Sequence, residues 1–380
     1  MKIINTIMSN CKNNQYNPII LIAGGGTGGH LFPAIAIGDA LEKIGYSVEY
    51  IGSKYGLEAI VFPKLNKKHY LLNIRGFQRT LSFKNFINNL LFPIRFLIAY
   101  YISKVIIKKI KPNIVIGTGG YASGIPILSS LNMNIKTLIH EQNSYPGFTT
   151  RKLANKVNKV CITTNESNKY LKGNLSLTGI PIRNNLISIN KQKACKKLGL
   201  SINKKIIFIL GGSQGSYAFN NYFEKTFKFY LENNFQLIWQ CGPKNINKYK
   251  KIINNKNILL KGFFDDISLP YSASDIIISR AGAMAISEIS FVKKPMILIP
   301  LPTSAGNHQL YNAYTFSKNK AAIMIEENKL KNNIIENQIL ELFSNSKKMK
   351  IMADNANSLI IKNATDKIIN EIKELDEFRC

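Results

Sequence analysis

The stretch IILIAGGGTGGHLFPA, residues 19–34, runs from an apolar segment through five glycines in six positions to a histidine and a helix-forming segment. IIFILGGSQGS, residues 206–216, repeats the order: apolar strand, glycine turn, helix. Each reads as the opening strand, loop and helix of its own Rossmann-type domain. Glycines there permit a tight turn and let backbone N–H groups approach a phosphate. The helix N-terminus adds partial positive charge.

Working outward, short apolar runs alternate with helix-length amphipathic segments. Strands are expected at 19–23, 48–52, 113–117, 136–140 and 159–163, then at 206–210, 235–239, 257–261, 275–279 and 296–300. Continuous apolar strands joined by crossover helices imply α/β architecture, with parallel, doubly wound sheets covered on both faces. At 380 residues the chain exceeds one ordinary core and suits two domains. The expected boundaries are a disordered lead at 1–18, a first Rossmann-like domain at 19–178, a linker at 179–203, a second Rossmann-like domain at 204–346 and a helical tail at 347–380. That tail would pack back on the first domain.

The charge is lopsided, with 51 Lys+Arg against 22 Asp+Glu, or +29. Such an excess suits an acidic partner, but here lysine is spread along the whole chain, as in KKIINNKN. Compositional drift explains most of it, and a nucleic-acid groove of interleaved basic and stacking residues is not evident. Cys11, Cys161, Cys195, Cys241 and Cys380 form no C-x-x-C pair, so neither a zinc site nor a disulfide framework is expected, and a reducing cytosol fits. His30, His69, His140 and His308 lack metal-ligand spacing, and no D-x-D occurs. The N-terminus lacks the apolar core of a signal peptide. The most apolar long segment, 90–107, is interrupted by Arg95 and Lys104 and does not span a membrane.

Further motifs fall at expected strand ends. GTGGYASG (117–124) is another glycine loop, and HEQNSYPG (140–147) has the polar composition of a ligand loop. In SRAGAMAISEI (279–289), Arg280, Gly282 and Ala283 would shape a loop before a helix. Glu288 inside that helix suits a ribose diol, or is a surface glutamate. In PTSAGNHQLYNA (302–313), Gln309 and Asn312 share a helix face; their amides suit sugar hydroxyls, or simply decorate a capped surface helix. Gly24-x-Gly26-x-x-Gly29, with Glu49 twenty residues further on, also satisfies a dinucleotide fingerprint. That reading leaves the second glycine loop unexplained. Two phosphate-friendly loops suit a transferase holding a donor and an acceptor.

Taken in order, GGGTGGHLFP, GTGGY, HEQN, GIPIR, GGSQG, FDD, SRAGAMAISE and NHQLYNA resemble the MurG-type peptidoglycan N-acetylglucosaminyltransferases, from about Ile19 to Asn370. The resemblance implies a GT-B fold, two Rossmann-like domains facing a cleft. It implies inverting transfer of N-acetylglucosamine from UDP-N-acetylglucosamine to the lipid-linked acceptor lipid I, undecaprenyl-diphospho-N-acetylmuramoyl pentapeptide, giving lipid II. The enzyme would be peripheral on the cytoplasmic face of the anionic inner membrane, with no cofactor, no metal and no nucleic-acid partner.

The same resemblance assigns residues. Ser213 and Arg183 would serve the donor phosphates, Phe264 would lie beside uracil, and Glu288 would hold the ribose. The segment Ala283, Met284, Ala285, Ile286 and Ser287, with Gln309 and Asn312, would line the donor site. Thr27, Gly28, Gly29 and Asn143 belong to the first-domain side. His30 is the candidate general base, since an imidazole can take a proton near neutrality; Glu141 is its rival. Three positions depart from the family pattern. Ala285 stands where Thr is common, Ile180 replaces a polar residue, and His308 replaces a Gln found in some members.

A lipid-linked acceptor gives meaning to segment 83–111, where aromatic and basic residues mix. Phe92, Arg95, Phe96 and Tyr100 are the candidate membrane contacts. The alternative is that Phe92, Phe96 and Tyr100 form one buried helix stripe.

Overall fold

A computed structural model of the chain describes residues 18–76, 90–182, 186, 189–253, 255–331 and 333–377. Residues 1–17 of the expected 1–18 lead, and Arg183, lie outside the described residues. The chain forms two compact units. One comprises residues 1–140, 152–161 and 366–380, and the other 141–151 and 162–365.

The first sheet contains β1 (Ile19–Ala23), β2 (Ser47–Ser53), β3 (His69–Leu72), β4 (Ile114–Gly117), β5 (Lys136–Glu141), β6 (Lys159–Ile162) and β7 (Leu175–Leu177), in the order β3-β2-β1-β4-β5-β6-β7. The second contains β8 (Ile206–Leu210), β9 (Gln236–Gln240), β10 (Ile258–Lys261), β11 (Ile276–Ser279), β12 (Met296–Leu298) and β13 (Ile323–Met324), in the order β10-β9-β8-β11-β12-β13. The pairings of β1 with β2 and β4, and of β8 with β9 and β11, are parallel. β1 and β8 are therefore central in their sheets, and the order reverses beside each of them. That reversal places a glycine loop at a switch point, where open α/β sheets bind ligands.

Alternation along β8 shows why it is apolar throughout. Ile206, Phe208 and Leu210 join a core with Tyr271, Ile286 and Phe316. Ile207 and Ile209 join a different core with Phe219, Phe223 and Trp239. Successive side chains point to opposite faces, and here both faces are covered.

Three features differ from the sequence reading. β3, β7 and β13 are additional short strands with too few residues to show a period. Residues 179–203 are not a bare linker: helix Lys191–Leu198 places Ala194 and Cys195 in the second unit's core. The tail is two helices, Ser346–Ser358 and Ala364–Glu377. The last helix buries Ile368, Ile369, Ile372 and Leu375 in the core that holds Ile20, Ile22 and Ile116. Its polar ties include an ion pair between Lys159 and Glu371 at 2.7 Å and a hydrogen bond from Lys136 Nζ to the Leu375 carbonyl at 2.6 Å.

Candidate active site

β1 ends at Ala23, and helix Gly28–Lys43 starts after Thr27 in extended geometry. Between them Gly26 N–H donates to Glu58 Oε2 at 2.6 Å, and Ser53 N–H donates to Glu58 Oε1 at 2.8 Å. Glu58 is fully buried, and a methyl group added at Gly25 or Gly56 would collide with its carboxylate, and one at Gly52 with its Cγ. The loop is thus shaped by an anion beneath it. Sequence reasoning missed Glu58; the glycines at 52 and 56 that make room for it were the available sign.

His30 lies in the first turn of that helix. Its Nδ1 is 3.1 Å from the Thr118 carbonyl, and Thr118 Oγ1 donates to the His30 carbonyl at 2.9 Å. A carbonyl only accepts, so Nδ1 carries a proton, and in the neutral tautomer this selects, the lone pair lies on Nε2. Gly120, at φ +76°, sits under the imidazole, where a Cβ would approach the Gly25 carbonyl to 2.8 Å and His30 Cδ2 to 3.1 Å. The GTGGY segment is therefore the second wall of the His30 site. Tyr121 closes that segment, and a Cβ on Gly26 would meet its ring at 3.1 Å. Burial chiefly, and the Glu58 charge in addition, push the Tyr121 phenol up, while its hydrogen bond with Ser53 and the Arg75 charge oppose them. Thr27 is exposed, Gly28 buried and Gly29 half-buried.

The dinucleotide alternative fails on register. Glu49 pairs with Leu21 in mid-strand, not at the strand end, and it is tied to Lys68. Gly24 lies three residues beyond Leu21, or roughly 10 Å at the rise of a strand.

In the second unit, Glu141 turns the HEQN loop. Its Oε1 accepts from Asn143 N–H and Nδ2, both at 3.0 Å, and its Oε2 accepts from Gly147 N–H at 2.9 Å. Those three donors hold the carboxylate in place as a loop clamp, which weakens it as a rival base. Asn143 Oδ1 accepts from Asn312 Nδ2 at 3.2 Å, and Asn312 Oδ1 accepts from Ser144 N–H at 2.9 Å. Asn312 Nδ2 also donates to the Ala281 carbonyl at 3.2 Å. The buried Asn312 amide thus joins three motifs instead of reaching outward to read a sugar. Gln309 is half-exposed, and its Oε1 accepts from Leu301 N–H at 3.0 Å.

The second glycine loop is positioned from below. Gln240 Nε2 donates to the Gly212 carbonyl at 3.0 Å, and Gln240 Oε1 accepts from Phe264 N–H at 3.1 Å. One amide therefore couples GGSQG to FDD. Ser216 caps helix Tyr217–Glu232 and also accepts from Arg280 Nη2 at 2.6 Å. Arg280 Nη1 donates to the carbonyls of Ile299 and Pro300, at 3.2 and 3.3 Å, and Nη2 pairs with Glu327. Burial lowers the Arg280 pKa, and the hydrogen bond and charge of Glu327 counter it. Ser213 is half-buried at the loop tip.

The Phe264 ring is core, edge-on to Phe208 at 5.9 Å between ring centres. A base beside it would meet backbone, not an aromatic face. Glu288 is 2% exposed, and its Oε2 accepts from Tyr271 OH at 3.0 Å, so it is no surface glutamate. Along helix Ala283–Phe291, Met284, Ile286 and Ser287 are buried, while Ala283 and Ala285 are partly exposed. Ala283, Ile286, Ser287 and Asn312 line a pocket with Gln142, Ser144 and Ile180.

Helix Phe92–Ile110 carries the candidate membrane residues. It buries Ala99, Ser103, Ile107 and Ile110. Phe92, Arg95, Phe96 and Tyr100 flank that seam half-buried, and Tyr100 OH accepts from Asn132 at 2.7 Å. The outward apolar face is instead Ile94, Leu97, Ile98, Tyr101, Ile102 and Val105, with Leu97 64% and Tyr101 70% exposed. No helix among the described residues is long and apolar enough to cross a membrane. Among the described residues, no three His, Cys, Asp or Glu side chains converge as metal ligands.

Residues 20–162 match the glycosyltransferase family 28 N-terminal domain, and residues 206–372 match the glycosyltransferase family 28 C-terminal domain. A Flavobacterium psychrophilum protein named UDP-N-acetylglucosamine--N-acetylmuramyl-(pentapeptide) pyrophosphoryl-undecaprenol N-acetylglucosamine transferase is 37% identical over 363 residues, covering 94% of this chain and 97% of that one. A protein of the same name from Christiangramia forsetii is 36% identical, with 94% and 97% covered. The crystal structure of Acinetobacter baumannii MurG superposes with a TM-score of 0.71 at 24% identity, covering 94% of this chain and 99% of that chain. This likeness confirms the GT-B fold.

Proposed function

Because the chain belongs to glycosyltransferase family 28, we propose that it transfers N-acetylglucosamine from UDP-N-acetylglucosamine to undecaprenyl-diphospho-N-acetylmuramoyl pentapeptide, with inversion, to form a β(1→4) link. The observation that carries this reading is the likeness over 94% of the chain to relatives named for that transfer. In the reaction an acceptor hydroxyl oxygen attacks the anomeric carbon. The bond from that carbon to the donor diphosphate breaks, UDP leaves, and the hydroxyl proton passes to a base. His30 is assigned that base. Its support is the Nδ1 contact with Thr118, which directs the neutral ring's lone pair to Nε2.

The departing diphosphate gains charge as the bond breaks. The GGSQG loop before helix Tyr217–Glu232 suits that charge, since a helix N-terminus presents N–H groups and a partial positive charge. Ser213 is assigned to it. Glu288 is assigned to the ribose, and the start of helix Ala283–Phe291, with Gln309, to the sugar. At Ala285 a methyl group supplies packing and no hydroxyl.

The enzyme acts as a peripheral protein on the cytoplasmic face of the inner membrane. Support comes from the exposed apolar face of helix Phe92–Ile110, which shares that helix with Arg95, Lys104, Lys108 and Lys109. Apolar side chains flanked by cations suit an anionic lipid surface.

The test is transfer of labelled N-acetylglucosamine to a lipid I analogue, run beside a thermal-shift titration. Product formation and stabilisation by UDP-N-acetylglucosamine above UDP-glucose are expected. A ligand specific for the folded state adds about 2.7 kcal/mol at a hundredfold over its dissociation constant. Stabilisation by NADH alone, without transfer, would overturn the reading.

A further inference from the structure

The HEQN loop carries an aromatic cluster that none of the assigned roles uses. Tyr145 stacks on Tyr311 at 4.8 Å between ring centres with planes 19° apart, and Tyr170 meets Tyr145 edge-on at 4.8 Å. Tyr170 and Tyr311 are 41% and 39% exposed. Aromatic clusters usually serve to fill a core, and this one stays at the surface. Arg151, itself exposed, donates from Nη1 to Tyr145 OH at 2.8 Å, and its guanidinium lies 4.8 Å from that ring's centre. Held in two ways, the guanidinium loses little freedom when it meets an anion, and its planar fork fits a carboxylate. Lys169 and Lys172, exposed neighbours in sequence of Tyr170, give the rim positive charge.

The cluster is also tied to the site. Tyr311 immediately precedes Asn312, and Tyr145 lies two residues past Asn143, and those two asparagines are hydrogen-bonded to each other. A ligand on the tyrosines would therefore lie beside the motif residues of the HEQN loop.

We infer that Tyr145, Tyr170, Tyr311 and Arg151 form a docking platform for the peptide stem of the acceptor, with the tyrosine faces packing against the stem and Arg151 pairing with its terminal carboxylate. This rests on the acceptor reading above. A peptide offers apolar side chains and amide planes to stack, and it ends in a carboxylate, which matches the rings and the cation. The lipid diphosphate is an anion too, so the experiment separates the two sources.

Three acceptor analogues are compared by steady-state kinetics: one with the full peptide, one with its terminal carboxylate converted to a carboxamide, and one lacking the peptide. With wild-type enzyme the carboxamide raises acceptor KM about tenfold, the scale of one lost hydrogen bond to a charged group. Arg151→Gln raises KM about tenfold on the acid-terminated acceptor and leaves the carboxamide unchanged. Tyr170→Ser raises KM on both peptide-bearing acceptors and leaves the peptide-free one unchanged. KM for the donor stays constant throughout. Equal losses on all three acceptors, or a defect on the peptide-free one, would assign Arg151 to the diphosphate or to loop structure and overturn the platform. Flat KM values across the series would overturn it as well. Absence of transfer by the wild type to any of the three would instead overturn the acceptor reading itself.

Discussion

The imidazole Nδ1 of His30 is 3.1 Å from the carbonyl oxygen of Thr118, and the Thr118 hydroxyl returns a bond to the His30 carbonyl at 2.9 Å. The two contacts fix both the ring and the helix turn that bears it. A proton acceptor at Nε2 is the chemical consequence. Replacing His30 by Ala removes that acceptor but not the glycine loop. Turnover is expected to fall by about a hundredfold or more, the contribution of a general base. The thermal stabilisation by UDP should persist. Near-normal turnover would mean that another group takes the proton.

The same ring rests on a position that tolerates no side chain. Gly120 has φ +76°, and a Cβ there would crowd the Gly25 carbonyl at 2.8 Å. A backbone oxygen cannot swing aside as a flexible side chain does, and the left-handed conformation adds its own strain. Gly120→Ala should cost about 1–3 kcal/mol of stability, read from the urea midpoint. It should also lower turnover, by displacing the first glycine loop and His30 together. A variant with wild-type midpoint and turnover would show that the two loops do not share a wall.

What was legible in the sequence follows from what burial does to a pattern. β1 and β8 announce themselves because both faces of a central parallel strand are covered, leaving an uninterrupted apolar run. β13, with two residues, and β7, with three, carry no period at all. The glycine loops were readable from their composition. Their supports were not, because Glu58 and Gln240 act on backbone atoms remote in sequence, such as Gly26 and Phe264. Helix Phe92–Ile110 was legible only in part. Its aromatic stripe suggested the functional face, but those rings flank a buried seam of Ala99, Ser103, Ile107 and Ile110, while Ile94, Leu97 and Tyr101 point outward.

That rotation sharpens the membrane prediction. The pair Leu97→Ser and Tyr101→Ser removes apolar surface from the outer face without touching the seam. Burial of each such side chain is worth about 1.5–3 kcal/mol, so binding to phosphatidylglycerol-containing vesicles should weaken more than tenfold. The thermal midpoint should hardly move. Phe92→Ser with Phe96→Ser, on the half-buried stripe, should instead lower the midpoint. Cosedimentation with vesicles separates the outcomes. Retained vesicle binding by the outer-face pair would place the membrane contact elsewhere.

Alkaline pH should expose a different weakness. Glu336 is buried, accepting hydrogen bonds from Tyr222 OH and from Tyr230 OH, the latter at 2.8 Å. Burial first, and then this carboxylate, push both phenols up, and burial does the same to Tyr50 with Glu42 and Asp39 adding to it. An unfolded tyrosine releases its proton near pH 10. Above that pH the folded chain still holds protons that the unfolded chain has lost, so stability falls as pH rises. Below it, both states are protonated and the contribution is complete. Each retained proton steepens the fall by about 1.4 kcal/mol per pH unit. The tyrosine contribution should therefore be level from pH 8 to about 9.5 and drop beyond 10, added to an earlier, shallower fall from the thiols of Cys195 and Cys241, which burial also pushes up. Tyr222→Phe should lower the plateau, since Glu336 loses a donor, yet shallow the alkaline slope by one proton's worth. An unchanged slope in that variant would mean that Tyr222 ionises in the folded protein as readily as in the unfolded one.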